Sequence, residues 1–357
     1  MRLLAGVVTL ALSGVASAAG CTGTGAPPAW AGPGVYRGTL GGQPVALELR
    51  KEDGQLVGAY FYERKGTDLP LTLKHRGDAL LAQEEVWGGP ANGTRVTGCL
   101  NLKANGTGLE GQWISSDGKR TLPVHLALLD VTRLLLKLPD SPGLRKMRAS
   151  TPLAFLKLNR PWQTVAGGKN VVEPFSGVTY PRIPGGSAAL NAALQDRHLK
   201  HAADALDCRA RLGDLRDEGY TLKAQVTFQG ARLLSVFENV AYFCGGAHPD
   251  AFDQGVILDR TTGRSVQVET LWPGLTPARL KQAYVGRTVT TDGECRQVLA
   301  EMSPEFTAHL TPAGLAVTPN GLPHVVFACA ETVTLPFARL RTYADPRGPY
   351  FRELYPQ

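Results

Sequence analysis

Val35-Tyr36-Arg37-Gly38-Thr39-Leu40-Gly41-Gly42-Gln43-Pro44-Val45-Ala46-Leu47-Glu48-Leu49-Arg50-Lys51-Glu52-Asp53-Gly54 is the stretch that decides the fold of the first half of the chain. Apolar and polar residues alternate in two short runs, the period of a half-buried β-strand. Each run ends on a dipeptide, Gly41-Gly42 or Asp53-Gly54, that accepts the positive φ angles of a tight hairpin turn. The same pattern continues through Leu56 to Glu63, Leu69 to Lys74, Ala79 to Val86, Arg95 to Leu102, Leu109 to Ile114 and Thr121 to Leu128, with turns at Asn92-Gly93, Asn105-Gly106 and Asp117-Gly118. Eight strands joined by sequential hairpins predict an all-β antiparallel meander over 35–130. Closure into a small barrel, which removes unpaired edges, is the expected form; an open curled sheet is the alternative.

Upstream, 19–34 is a Gly/Pro-rich arm with too few apolar side chains to build a core. Before it, Arg2, the apolar run Leu3 to Val15 and Ala16-Ser17-Ala18 have the form of a signal peptide cleaved after residue 18. A periplasmic or secreted protein is therefore expected, with no transmembrane segment in the mature chain. Ala18-Ala19-Gly20-Cys21 partly resembles a lipobox, so lipid anchoring at Cys21 is the competing reading. Cysteine parity favours the other outcome: Cys21, Cys99, Cys208, Cys244, Cys295 and Cys329 form an even set without C-x-x-C spacing, as expected of disulfides in an exported chain. The favoured pairing is Cys21 with Cys99, Cys208 with Cys244 and Cys295 with Cys329, and the sequence leaves other connectivities open.

The net charge of +7 is concentrated in one place. Between Val131 and Arg182 nine basic residues face only Asp140 and Glu173. The Pro-rich connector 131–178 holds most of that excess, with Arg145, Lys146, Arg148, Lys157 and Arg160 as a candidate basic patch for an anionic partner; a solvated linker is the bland reading. A strand is expected near Ala154 to Leu158.

From 179 to 357 the pattern turns to α+β. Ser187 caps a helix expected over Ala188 to Asp207. Strands are expected at Tyr220 to Phe228, Arg232 to Phe243, Gln254 to Asp259 and Ser265 to Glu269. Thr276-Pro277 and Ser303-Pro304 each start a helix, Pro277 to Val285 and Pro304 to His309, and Glu294 to Met302 is another. Strands at Leu315 to Thr318, His324 to Cys329 and Val333 to Pro336 close the module.

Within it, Tyr242-Phe243-Cys244-Gly245-Gly246-Ala247-His248-Pro249, then Leu258-Asp259-Arg260-Thr261-Thr262-Gly263-Arg264 and Leu271-Trp272, resemble the C-terminal extracellular domain of the RsiV family of lysozyme-binding anti-sigma factors. Tyr180-Pro181 with Leu190-Asn191, and Val333-Thr334-Leu335-Pro336-Phe337 with Leu340, extend the likeness to about 179–340. The sigma-binding segment and membrane helix of an anti-sigma factor are absent, so transmembrane signalling is not implied. The resemblance implies an exported α+β module whose ligand is a lysozyme-like protein or a wall polymer; the same domain also accompanies polysaccharide deacetylases, with the chemistry in another domain.

Candidate binding residues are His248 and Asp250 with the Gly245-Gly246 turn. Asp253 is nearby, but one histidine with flanking carboxylates is an incomplete metal set, and a backbone lock by His248 is the favoured role. His198 and His201 share a helical face with Asp204, read as a solvated polar face. Trp30, Tyr60, Tyr62, Trp87 and Trp113 either fill the barrel or line a cavity in it. No nucleophile elbow or phosphate loop occurs. No catalytic residue, metal or cofactor is expected, nucleic acid is not an expected partner, and a monomer is. The function expected is that of an exported, non-enzymatic binding protein recognising a cell-envelope protein or anionic glycan. The alternative is a carbohydrate-acting hydrolase with its site near His248.

Overall fold

A computed structural model describes residues 21–88, 93–213, 219–287, 293–302, 305–322 and 324–356. The expected signal peptide, 1–18, and the Ser303-Pro304 helix start lie outside the described residues. The chain separates into two compact units. The first comprises Leu69–Val86, Thr94–Leu129 and the stretch ending at Tyr60; the second comprises Phe61–Asp68, Trp87–Gly93 and everything from Asp130 onward.

Eight antiparallel strands close into a barrel in sequence order: β1 (Gly34–Leu40), β2 (Gln43–Glu52), β3 (Gln55–Tyr62), β4 (Leu69–Arg76), β5 (Ala79–Trp87), β6 (Thr94–Asn105), β7 (Gly108–Ser115) and β8 (Thr121–Leu128). Asp53 and Gly54 both have positive φ, 49° and 79°, the geometry that a two-residue hairpin with native twist requires. β1 pairs with β8 from Tyr36↔Leu128 to Leu40↔Val124, which closes the sheet. Gly38 is needed at that seam, because a Cβ there would stand 1.9 Å from the His125 carbonyl oxygen. Alternate residues such as Leu40, Leu47, Leu80, Leu100, Val124 and Leu126 are buried, so side chains fill the interior. The arm is fixed by a Cys21–Cys99 disulfide and by a bridge between Thr24 and His75.

The second unit begins with two helices, α1 (Pro142–Ser150) and α2 (Pro152–Leu158). The strand expected at Ala154 to Leu158 is therefore a helix. Its run of apolar residues suits either state by pattern, and Pro152 at the first helical position, with Leu153, Phe155 and Leu158 buried, settles it as helical. Short strands β9 (Gln163–Val165), β10 (Asn170–Val172) and β11 (Thr179–Pro181) form a small sheet. The long α3 (Ala188–Leu212) follows, capped by Ser187 Oγ, which accepts from Leu190 N–H at 3.1 Å.

A three-stranded antiparallel sheet of β12 (Tyr220–Gln229), β13 (Leu233–Tyr242) and β14 (Asp250–Asp259) carries α3 on one face. Leu190 and Leu194 of α3 pack there on Leu234, Val236, Val256 and Leu258. Residues of opposite parity, Leu233 and Ile257, enter a larger core with α4 (Val268–Leu271), α5 (Pro277–Val285), α6 (Gly293–Glu301) and a second sheet, β15 (Glu305–Thr311), β16 (Gly314–Asn320) and β17 (Val333–Pro336). Trp272 is fully buried in this core and its indole N–H donates to Tyr355 Oη at 2.8 Å. Short helices α7 (Phe337–Leu340) and α8 (Phe351–Leu354) finish the chain.

Three expectations change here. Residues 305–309 belong to a strand, not a helix, because Phe306, Ala308 and Leu310 alternate with polar residues and pair with β16. Only Ser265 bridges to Leu258 where a strand was expected, and Val268–Leu271 turns into a helix. His324–Cys329 is a 3₁₀ helix despite its β-prone composition, since the Cys295–Cys329 disulfide ties it to α6 and tertiary context overrides propensity. The remaining disulfide joins Cys208 of α3 to Cys244. Among the described residues no helix is long and apolar enough to cross a membrane. Together with three disulfides, that is compatible with an extracellular or periplasmic setting.

Candidate functional site

The polar centre of the second unit lies between α3 and the β12–β13–β14 sheet. On α3, Leu190, Leu194, His198, His201, Ala205, Cys208 and Leu212 recur every three or four residues and are all buried. His198 and His201 thus stand on the core stripe, and the solvated face expected for them is not what forms: both are 0% exposed. Asp204, grouped with them in the sequence, instead pairs with Lys200 at the surface.

Opposite this stripe, Glu238 takes the inward parity of β13 between Val236 and Val240 and is itself 0% exposed. A carboxylate there needs partners, and it has several. Tyr180 Oη donates at 2.5 Å, Arg197 Nε donates at 2.5 Å and Arg197 Nη2 donates to the second oxygen. His201 Nε2 lies 3.1 Å from Glu238 Oε2. Arg197 Nη2 also reaches Gln254 Oε1 at 2.7 Å, and the Tyr220 hydroxyl is 2.5 Å from His201 Nδ1. Burial works against the charge on Glu238, but the Arg197 bonds, followed by His201, hold its pKa at about 2. Burial, reinforced by Arg182, pushes His198 down to about 3, so its imidazole is neutral and Nε2–H donates to Val178 O at 2.8 Å. Burial also raises Tyr180 and Tyr220, which leaves both phenols protonated as donors.

These groups belong to a continuous column of aromatic rings. Trp162, His198, Tyr180, His201, Tyr220, Tyr242 and Phe252 follow one another with centroid separations of 4.4, 5.8, 6.2, 6.1, 6.5 and 6.3 Å. The centre is buried, whereas Trp162 at one end and Tyr242 and Phe252 at the other are partly exposed. At the second end Asp250 Oδ2 accepts from the Tyr242 hydroxyl at 3.2 Å; Asn239 and Asp253, paired at 2.7 Å, project from the opposite face of the sheet. The partly exposed rings of Tyr242 and Phe252 thus stand on one face with the Asp250 carboxylate.

The turn residues named from the sequence border this end. Gly245 has φ +88°, a conformation that favours glycine; Gly246 beside it is exposed. His248 is exposed and its Nδ1 contacts Pro249 O at 2.9 Å. Asp250 opens β14 and also accepts from Ala251 N–H at 2.8 Å. Among the described residues no three His, Cys, Asp or Glu side chains are grouped to hold a metal ion.

The five cations of the connector have different fates. Lys157 is buried and pairs with Asp68 at 2.6 Å; Arg160 lies over the Phe175 ring at 3.6 Å; Arg145 pairs with Asp140 at 2.6 Å. Arg148 donates to Leu134 O at 3.5 Å, and Lys146 is exposed. In the barrel, Tyr60 is a donor to buried Glu84, joined by Thr97 at 2.5 Å and the Trp113 indole at 3.1 Å. Trp30 donates to Asp78 O at 2.9 Å. A separate cavity of about 630 Å³, lined by Leu275, Pro277, Leu280 and Phe306 with Glu269, Lys281 and Glu305, lies in the second unit.

Glu238 and Glu84 carry no motif in the sequence. Each is a charged residue at an inward parity of a strand otherwise apolar on that side, which is the signal that marks them. Arg197 and Gln254 have no such signal, since their roles follow from tertiary placement.

No family model matches the chain, and no curated protein matches it. Among solved structures, one described as a DUF3298 family protein from Pseudomonas aeruginosa is a distant match: 17% identical, covering 44% of this chain and 71% of that one, with a TM-score of 0.29.

Proposed function

We propose that the chain is an exported binding protein without catalytic chemistry of its own, and that its second unit recognises a cell-envelope glycan. The observation that carries this reading is the partly exposed end of the aromatic column, Tyr242 and Phe252, with Asp250 on the same face. Sugars bind such surfaces by laying C–H faces on rings and sharing hydroxyls with carboxylates. The resemblance of 179–340 to RsiV-like domains agrees with an envelope ligand, and under it a lysozyme-like protein is the other partner to test.

The column's interior favours binding over hydrolysis. Glu238, His201 and Tyr220 stand in the order of a carboxylate–imidazole–hydroxyl relay, but burial keeps the phenol protonated and Arg197 occupies the carboxylate. A hydroxyl so placed positions a ring and does not attack.

Co-sedimentation with purified peptidoglycan sacculi tests the proposal. The wild-type protein is expected to pellet with sacculi and a Tyr242→Ala/Phe252→Ala variant to stay in solution. Release of soluble sugar fragments, lost on His248→Ala or Asp250→Ala, would replace this reading with the hydrolase.

A further inference from the structure

We infer that the opposite end of the aromatic column, at Arg182 and Trp162, is a subsite for a carboxylate-bearing sugar. This rests on the glycan reading above and adds the chemistry of the group recognised. Arg182 follows β11 and its guanidinium has two recorded bonds, from Nη1 to Pro181 O at 3.0 Å and between Nη2 and His198 Nδ1 at 3.3 Å. Neither partner carries a negative charge, since His198 is neutral. Among the described residues no carboxylate lies within 4.0 Å of this guanidinium. Two other inward-facing cations of the unit are matched, Lys157 by Asp68 and Arg197 by Glu238, while partly buried Arg209 is held by the Phe175 and Ser176 carbonyls. Partly buried arginine is ordinarily paired, and burial here depresses the Arg182 pKa to about 10, the sign of a desolvated cation lacking a compensating anion.

The surroundings specify what would complete it. A guanidinium offers five N–H donors in a plane, and the two recorded bonds leave enough of them for bidentate pairing with a carboxylate. Trp162 meets the same His198 ring from another side, edge-on at 4.4 Å, and its indole N–H is held by Leu158 O at 3.0 Å, so the ring is fixed and partly exposed. A fixed indole for a sugar face and a guanidinium for an acid group together select an acidic sugar over a neutral one. The surplus of basic residues between Val131 and Arg182 adds a field of the matching sign.

N-acetylmuramic acid and N-acetylglucosamine test this directly, because they differ by a carboxylate-bearing ether substituent. Calorimetric titration of the full mature protein is expected to give a preference for the acidic sugar of about tenfold or more, declining with added salt. Arg182→Gln should abolish the preference, and Arg182→Lys should keep a reduced one, since charge remains without the planar fork. Trp162→Ala should weaken both sugars and leave their ratio. If Arg182→Gln does not fold, the wild-type preference and Arg182→Lys decide the matter. Equal binding of the two sugars, no binding of either, or a preference surviving in Arg182→Gln would overturn the assignment. Equal binding would leave the glycan reading standing, whereas failure of the wild-type protein to pellet with sacculi, or undiminished pelleting of the Tyr242→Ala/Phe252→Ala variant, would remove that reading on separate evidence.

Discussion

Replacing Glu238 with Gln is the perturbation whose size can be worked most fully from the structure. The side chain is fully buried and compensates Arg197, while Tyr180 and His201 are oriented around it. Its carboxyl is held at about 2 against an ordinary 4.5, a difference corresponding to about 3 kcal/mol at neutral pH. Measured costs of removing one member of a buried ion pair, about 3–5 kcal/mol, give the same scale by an independent route. The folded-state pKa is depressed, so this stabilisation is complete above about pH 4.5 and disappears as pH falls toward about 2. For a unit of this size the substitution should lower the melting temperature by roughly 6–12 °C. Differential scanning calorimetry should show that shift in one transition, with the barrel transition unmoved. Adding Arg197→Met to Glu238→Leu should recover part of the loss, because no buried charge is then left alone. A shift under about 2 °C for Glu238→Gln would refute the claim that the pair is buried and structurally required.

Three other outcomes follow from the same geometry. His198 and His309 are held down to about 3 and about 4 by burial, so acidification from about pH 6.5 to 4 should cost up to ~2.7 kcal/mol per pH unit as the unfolded chain takes up two more protons; urea melts across that range would show about half that slope if one ring were exposed and none if both were. The Cys21–Cys99 link spans 78 residues, which sets its chain-entropy contribution at about 4.5 kcal/mol, and a Cys21→Ser/Cys99→Ser variant should unfold its barrel at correspondingly lower denaturant. Glu84→Ala strands the Tyr60 hydroxyl, the Thr97 hydroxyl and the Trp113 N–H inside the barrel and should destabilise it by roughly 3 kcal/mol, read as a lower urea midpoint with an unchanged slope.

The barrel was legible because period-two alternation and Gly-containing turns are local signals, and closure of eight such strands follows from the need to leave no edge. The second unit was legible where a helix is capped, as at Ser187 and Thr276, and less so where an apolar run is short. Leu153 to Leu158 and His324 to Cys329 carry the same composition as a strand, and only packing and the Cys295–Cys329 link decide their form. The ring column shows the same limit. The spacing of His198 and His201 from Leu194 and Ala205 already placed them on the buried stripe, yet polar chemistry argued for solvent; what reconciles the two is Glu238, Tyr180 and Tyr220, which arrive from separate strands. Long-range hydrogen bonding of this kind has no local sequence signature.

On the function proposed above, the envelope ligand sits on the ring face at Tyr242 and Phe252. Hydrogen–deuterium exchange of the mature protein with and without soluble peptidoglycan fragments tests it most directly. Slowed exchange is expected only at the Tyr220 end of β12, in the 241–253 segment and in the neighbouring β11–α3 region, with the barrel unchanged. Protection confined to the barrel, or no protection at saturating fragment, would contradict it.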